Sequence, residues 1–311
     1  MNHLGYGVTR VVGQLMLLAV LLALSAGAQA GMSEGLYAFH HRIYVIALQE
    51  FKPLALRGDM QAQFHLGLMY DNGYGTAKDE RIAVEWYRRA AEQGHVKAQL
   101  NLGVMYSMGQ GVAQDLDEAM SWYLKAGEQN DADAQYNLGW MYDNGKGVKQ
   151  DRQEALVWYR KASEQGQARA QYNLGWMYSN GQAVAQDYQE AMKWYTKAAE
   201  QGHAKAQFNL ARMYDKSLGV EEDVSLALQW YSKSAEQGFA PAQLSLGLLY
   251  AKNQGVLVDL VQACKWFKLA ANARNEVARI YMEEFEKVMS TEQIDSARMQ
   301  AWLQQNKVAV L

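Results

Sequence analysis

The sequence has one cysteine in 311 residues, so no internal disulfide is possible and stability has to come from packing. Basic tracts are missing as well. The 30 Lys and Arg are outnumbered by 33 Asp and Glu, leaving a formal charge of −3. That balance gives no electrostatic footprint for nucleic acid, which is excluded as a partner. No zinc-binding helix motif, nucleophile elbow, Walker loop or S-x-x-K run is present. No cofactor and no metal are expected, and the chain does not read as an enzyme.

The first thirty residues are almost without charge, Arg10 being the exception. A mostly apolar run from Val11 to Leu24 ends in Ala28-Gln29-Ala30. Residues 1–30 therefore read as a secretory signal peptide cleaved after Ala30, with an apolar stretch too short for a comfortable membrane span. An uncleaved anchor is the alternative, and it would be the sole membrane contact. No cysteine follows the cleavage site, which excludes a bacterial lipid anchor there. The expected location is periplasmic or secreted, and loss of Arg10 with the leader takes the charge from −3 to −4.

What the chain does have is a period. Trp86 returns as Trp122, Trp158, Trp194, Trp230 and Trp266, a spacing of 36. Six copies of one large apolar residue point to a stacked unit rather than a catalytic site. Around Trp86, the residues Ala83, Tyr87, Ala90 and Ala91 complete one helical face at i, i+3, i+4, i+7 and i+8. Asp79 stands at the N-cap. Its equivalents Asp115, Asp151 and Asp187 are each followed three residues on by Glu118, Glu154 and Glu190, the pattern of a reciprocal capping box. Gly94, Gly166, Gly202 and Gly238 end that helix at a left-handed position. A preceding helix carries Ala62, Leu66, Met69 and Tyr70 on one stripe, and Asn72-Gly73-Tyr74-Gly75 breaks the chain between the two.

Each unit is a helical hairpin that must stack to bury both stripes. The tryptophans are expected to form the spine between helices, each removing ~150–250 Å² from water. Gly67, Gly103, Gly139, Gly175 and Gly247 are expected where backbones come close, with Ala211 as the exception. Cys264 shares a phase with Val84, Met120, Leu156, Met192 and Leu228 and so reads as a small buried hydrophobe.

The run A-Q-x-x-L-G-x-x-Y (Ala134 to Tyr142), the G-x-G-V turn (Gly145 to Val148) and D-x-x-x-A-x-x-W-Y-x-K-A (Asp151 to Ala162) resemble the Sel-one-like repeat family, a branch of the tetratricopeptide-like α-solenoids. The resemblance implies an all-α, right-handed α/α superhelical solenoid of six 36-residue hairpins, 59–94, 95–130, 131–166, 167–202, 203–238 and 239–274. Residues 31–58 then form an N-terminal capping helix, with Phe51 at the Tyr87 phase and Glu50 in place of tryptophan. Residues 275–311 form C-terminal capping helices, the last opened by Ser290 and Gln293.

Chemical motifs are weak. Asn144-Gly145-Lys146-Gly147 follows a helix rather than a strand and reads as a turn, not a phosphate loop. Asp71 to Glu80 lacks oxygen side chains at the third and fifth positions of a calcium loop. His40 and His41 point about 100° apart on a helix and read as solvated.

The candidate site is a surface. On the first helix of each hairpin, positions 64, 68 and 71 point away from the apolar stripe, and in tetratricopeptide repeats these phases line the concave groove. Here they supply Tyr136, Trp140, Tyr172 and Trp176, continued by Phe208 and Arg212, with Lys97, Arg169 and Lys205 one turn earlier. Asn101, Asn137, Asn173 and Asn209 run beside them, an amide ladder able to hold a peptide backbone. Packing against neighbouring helices is the bland alternative. Exposed aromatic patches usually mean a partner. The resemblance implies a scaffold of envelope complexes or of host contact. The expected function is an exported, non-enzymatic protein–protein interaction adaptor that grips a peptide or protein segment. The alternative is an envelope assembly factor recognising peptidoglycan or another polysaccharide. Some disulfide-rich relatives bind or hydrolyse β-lactams, but their paired cysteines are absent here and no nucleophile–base pair is visible.

Overall fold

In a computed structural model of the chain, residues 31–252 and 258–308 are described; the leader lies outside them. Every regular element among them is an α-helix. The first is α1 (residues 31–40), followed by α2 (Tyr44–Leu56), so the segment read as one N-terminal cap is a short hairpin. The six hairpins follow as α3 (Met60–Asn72) with α4 (Glu80–Glu92), α5 (Val96–Met108) with α6 (Leu116–Glu128), α7 (Ala132–Asn144) with α8 (Arg152–Glu164), α9 (Ala168–Asn180) with α10 (Tyr188–Glu200), α11 (Ala204–Asp215) with α12 (Val224–Glu236), and α13 (Ala240–Ala251) with α14 (Leu260–Asn272). Two further helices, α15 (Glu276–Glu286) and α16 (Thr291–Val308), close on α14. The odd-numbered members α3 to α13 are called A helices and their partners B helices.

Two compact units divide the chain. One runs to Met141 and includes Gly145–Lys149; the other comprises Tyr142–Asn144 and continues from Gln150. Within each, a helix packs on its neighbours in sequence, the arrangement of a solenoid.

The core departs from the expected tryptophan spine. The fully buried ring is the residue after each tryptophan: Tyr87, Tyr123, Tyr159, Tyr195, Tyr231 and Phe267, none more than 4% exposed. In four hairpins that ring lies on a glycine of the A helix. A Cβ on Gly67, Gly103, Gly175 or Gly247 would come within 2.4–2.8 Å of a ring carbon of Tyr87, Tyr123, Tyr195 or Phe267. The glycine therefore makes room for an aromatic side chain first, with a B-helix carbonyl next at 3.2 Å beside three of the four. The tryptophans sit one step round the helix and are buried or half-buried. A cation covers each: Arg89, Lys125, Lys161, Lys197, Lys233 and Lys265 lie 3.7–4.6 Å over the rings of Trp86, Trp122, Trp158, Trp194, Trp230 and Trp266.

Caps follow the sequence in part. Asp79, Asp115, Asp151 and Asp187 accept hydrogen bonds from backbone N–H groups of the first turn. The returning half of the capping box is not made by glutamate. The N-cap N–H donates instead to the carbonyl of Tyr70, Tyr106, Tyr142 or Tyr178 in the preceding helix, at 2.8–3.0 Å. At α16 the box closes both ways: Ser290 N–H donates to Gln293 Oε1 and Gln293 N–H to Ser290 Oγ.

A buried glutamine recurs at the start of every A helix. The Nε2 groups of Gln63, Gln99, Gln135, Gln171, Gln207 and Gln243 donate to carbonyls near the end of the preceding helix, from Ala55 to Ala235, at 2.9–3.1 Å. Their Oε1 atoms accept from Gln93, Gln129, Gln201 and Gln237 of the same hairpins, for Gln63, Gln99, Gln171 and Gln207. This polar ladder fixes the register of one hairpin on the next and satisfies orphan carbonyls at the helix ends.

Candidate functional site

The A helices of the second unit are placed by their ends. Gln167 caps α9 through a hydrogen bond accepted from Ala170 N–H, and His203 caps α11 through Nδ1 from Ala206 N–H. Pro241 stands in the first turn of α13, where its missing N–H leaves nothing unsatisfied. With the glutamine ladder holding each N-terminus, residues at positions 172, 176, 208 and 212 face outward on fixed helices.

Two clefts open along this face. The first, about 200 Å³, is lined by Tyr172, Trp176, Asn209 and Arg212 of the expected set together with Ser179, Asn180, Tyr188, Tyr195, Met213 and Leu218. The second, about 180 Å³, has Phe208 and Arg212 with Asp215, Lys216, Tyr231, Ser245, Leu248, Leu249 and Lys252. Arg212 borders both. Its guanidinium lies 5.8 Å from the Phe208 ring centre. Tyr172 stacks on His203 at 4.8 Å, and Phe208 meets Phe239 edge-on at 5.3 Å.

The hydroxyls between the rings are neutral donors. Burial, the largest cause, pushes the Tyr195 phenol up to about 12 and raises Tyr172 as well. Tyr195 shares a 3.2 Å hydrogen bond with Ser179 Oγ. Asn209 lies beside both phenols and offsets part of that rise. Likewise Asn101 lies beside the Tyr87 hydroxyl, which donates to Asp71. The amide ladder is thus turned in part toward tyrosine hydroxyls of the core. Asn173, like Asn137, is half-buried, and it does not line either cleft.

In the first unit, α7 carries Tyr136 and Asn137 half-buried and Trp140 43% exposed. Lys97, expected to face a ligand, instead bonds Asp131, the N-cap of α7, at 2.7 Å. The sequence did not reveal Tyr188 or Tyr195, because B-helix residues reach the clefts only through hairpin packing, whereas Asp215 lies at the outward phase of position 71 on α11. The signal available was the phase of positions 71, 107, 143, 179 and 215, which alternates Asp and Ser opposite the buried tyrosines.

The remaining candidates resolve simply. Cys264 is buried, and burial first of all pushes its thiol up to about 11, an inert value. His40 and His41 are exposed, His41 stacked on Tyr37. Among the described residues no cluster of three His, Cys, Asp or Glu side chains is arranged for a metal ion, and no helix is long and apolar enough to cross a membrane.

Comparison with known proteins gives the family. The Sel1 repeat model matches residues 61–95, 96–131, 132–167, 168–203, 204–239 and 240–275. A solved Sel1 repeat protein from Oxalobacter formigenes is 36% identical, with a TM-score of 0.70, over 78% of this chain and 96% of its own. A protective antigen present in uropathogenic Escherichia coli strains, displaying an SLR fold, is 31% identical, with a TM-score of 0.62, over 93% of this chain and 71% of its own. No curated protein sequence matches significantly. Sel1 repeat proteins are in general non-enzymatic scaffolds for protein–protein interaction. With six consecutive repeats matched over most of its length, the chain belongs to the Sel1 repeat family.

Proposed function

We propose that this chain is an exported, non-enzymatic adaptor whose A-helix face binds a protein or peptide segment. The observation that carries the reading is the pair of adjoining clefts on α9, α11 and α13. They are lined by aromatic rings, neutral hydroxyls and two amides, with Arg212 between them. Rigid aromatics with adaptable polar neighbours suit a polypeptide, which offers both apolar side chains and backbone groups. The lining holds no nucleophile beside a base, which fits binding rather than turnover. Export rests on the leader pattern ending at Ala30.

The test replaces Trp140 and Trp176 together by alanine and compares photo-crosslinked partners from the native envelope. Capture of protein partners should fall while the thermal unfolding curve stays close to the parent, because Trp140 is 43% exposed and Trp176 half-buried. Unchanged capture would show that the face is misassigned. Retention on purified peptidoglycan, abolished by the same pair, would move the reading to a wall-binding assembly factor.

A further inference from the structure

We propose that the clefts on either side of Arg212 select an acidic peptide, pairing one Asp or Glu side chain with the guanidinium and seating a bulky apolar residue on each side. This inference rests on the peptide-binding reading and names the chemistry of the occupant. Arg212 is exposed, its guanidinium lies against the Phe208 ring, and no carboxylate among the described residues pairs with it. The nearest acid on its own helix, Asp215, is already engaged: it accepts from Tyr231 Oη at 3.2 Å and pairs with Lys216 at 3.2 Å. Nor does the repeat need a cation at this phase, which Leu68, Val104, Trp140, Trp176 and Leu248 fill in the other copies.

Charge points the same way. The two clefts are lined by the cations Arg212, Lys216 and Lys252 against a single carboxylate, Asp215. The whole chain is −3, so this face has the opposite sign to the molecule that bears it. An acidic segment is drawn to such a face and repelled by the rest of the surface. A planar guanidinium flanked by aromatic walls also offers two parallel N–H groups to a carboxylate in a site partly shielded from water. On one side Tyr172 and Trp176 receive a bulky neighbour, and on the other Phe208, Leu248 and Leu249 do.

The experiment pans phage-displayed random dodecapeptides on the full chain and on its Trp140→Ala/Trp176→Ala variant, then measures winners by fluorescence anisotropy against analogues with Gln or Asn in place of the acid. Enriched peptides should carry Asp or Glu between apolar residues and bind about tenfold or more tighter than their amide analogues, the worth of one charge-assisted pair. Arg212→Gln should erase that difference without moving the unfolding midpoint, added salt should shrink it, and Arg212→Glu should turn the preference toward Lys. If acid and amide peptides bind equally, the acidic preference is overturned while the peptide-binding reading stands. If no peptide is enriched over the double-alanine control, both fall.

Discussion

Trp194 and Tyr195 are adjacent in sequence and differ completely in duty. Tyr195 is buried with its ring on Gly175, whereas Trp194 is half-buried, its indole N–H donating to Glu190 at 3.0 Å and its face covered by Lys197. A methyl group at Gly175 would stand 2.8 Å from the Tyr195 ring. Overpacking of that kind costs about 1–3 kcal/mol, offset by about 0.5–1 kcal/mol from replacing a helical glycine. Ala211 occupies the same phase in the fifth hairpin and is fully buried there, so the ring is able to yield. Gly175→Ala should therefore cost about 1 kcal/mol in urea denaturation and remain folded; a stabilised variant would show that the ring does not set the glycine. Gln243 supplies the converse case. Its buried Oε1 has no hydrogen-bond partner among the described residues, because Ala273 stands where Gln93, Gln129, Gln201 and Gln237 close the ladder in other hairpins. Ala273 is exposed, leaving room for a longer side chain. Ala273→Gln should add about 0.5–1.5 kcal/mol, the net worth of one hydrogen bond, read as a higher urea midpoint.

At the scale of the element, the hairpins show which constraints are written locally. Asp187 accepts from Glu190 N–H at 3.0 Å with its side chain, while its own N–H donates to Tyr178 O at 2.9 Å. Substitution removes only the first, so Asp187→Ala should cost about 1 kcal/mol, and amide exchange should rise in the first turn of α10 alone. The aspartate was legible because an N-cap is a local device, and the 36-residue period made helix boundaries legible within the six repeats but not in residues 31–58, where it does not run. The N-cap N–H was not, since its partner Tyr178 is reached across a turn whose path the sequence does not state. The core was half legible. Periodicity identifies Trp194 and Tyr195 as one apolar stripe but does not say which of two residues 100° apart points inward; the glycine at 175 decides that from another helix. In the candidate site, Tyr172, Trp176, Phe208 and Arg212 share one face by spacing alone. Tyr195 and Tyr188 enter it from α10, information that belongs to packing.

Across the whole molecule the response to acid should be uneven, because histidines replace the more acid-tolerant caps at two A helices. His95 and His203 cap α5 and α11 by accepting from Ala98 and Ala206 N–H through Nδ1, where Asp59, Asp131 and Gln167 serve other hairpins. Protonating Nδ1 removes the acceptor, and burial lowers the pKa of both rings. His65 adds to this in the first unit. It lies among Phe39, Phe51 and Phe64, its buried Nδ1 without a partner among the described residues, and burial above all, with His95 and His40, brings it down to about 4. A histidine whose folded pKa lies below its unfolded value of 6.5 contributes stability that is complete above pH 6.5 and is lost as pH falls toward 4. Allowing for its partial exposure, His65 should contribute a loss of about 2 kcal/mol by pH 4.5. Residue-resolved hydrogen exchange between pH 7 and pH 4.5, corrected for intrinsic rates, should show opening of α3 and α5 ahead of α9 and α13, which lack these rings. His65→Phe with His95→Asn should flatten the dependence in α3 and α5 and leave that of α11, governed by His203, in place. Equal acid sensitivity in all six A helices would mean that carboxylates, not these histidines, set the response.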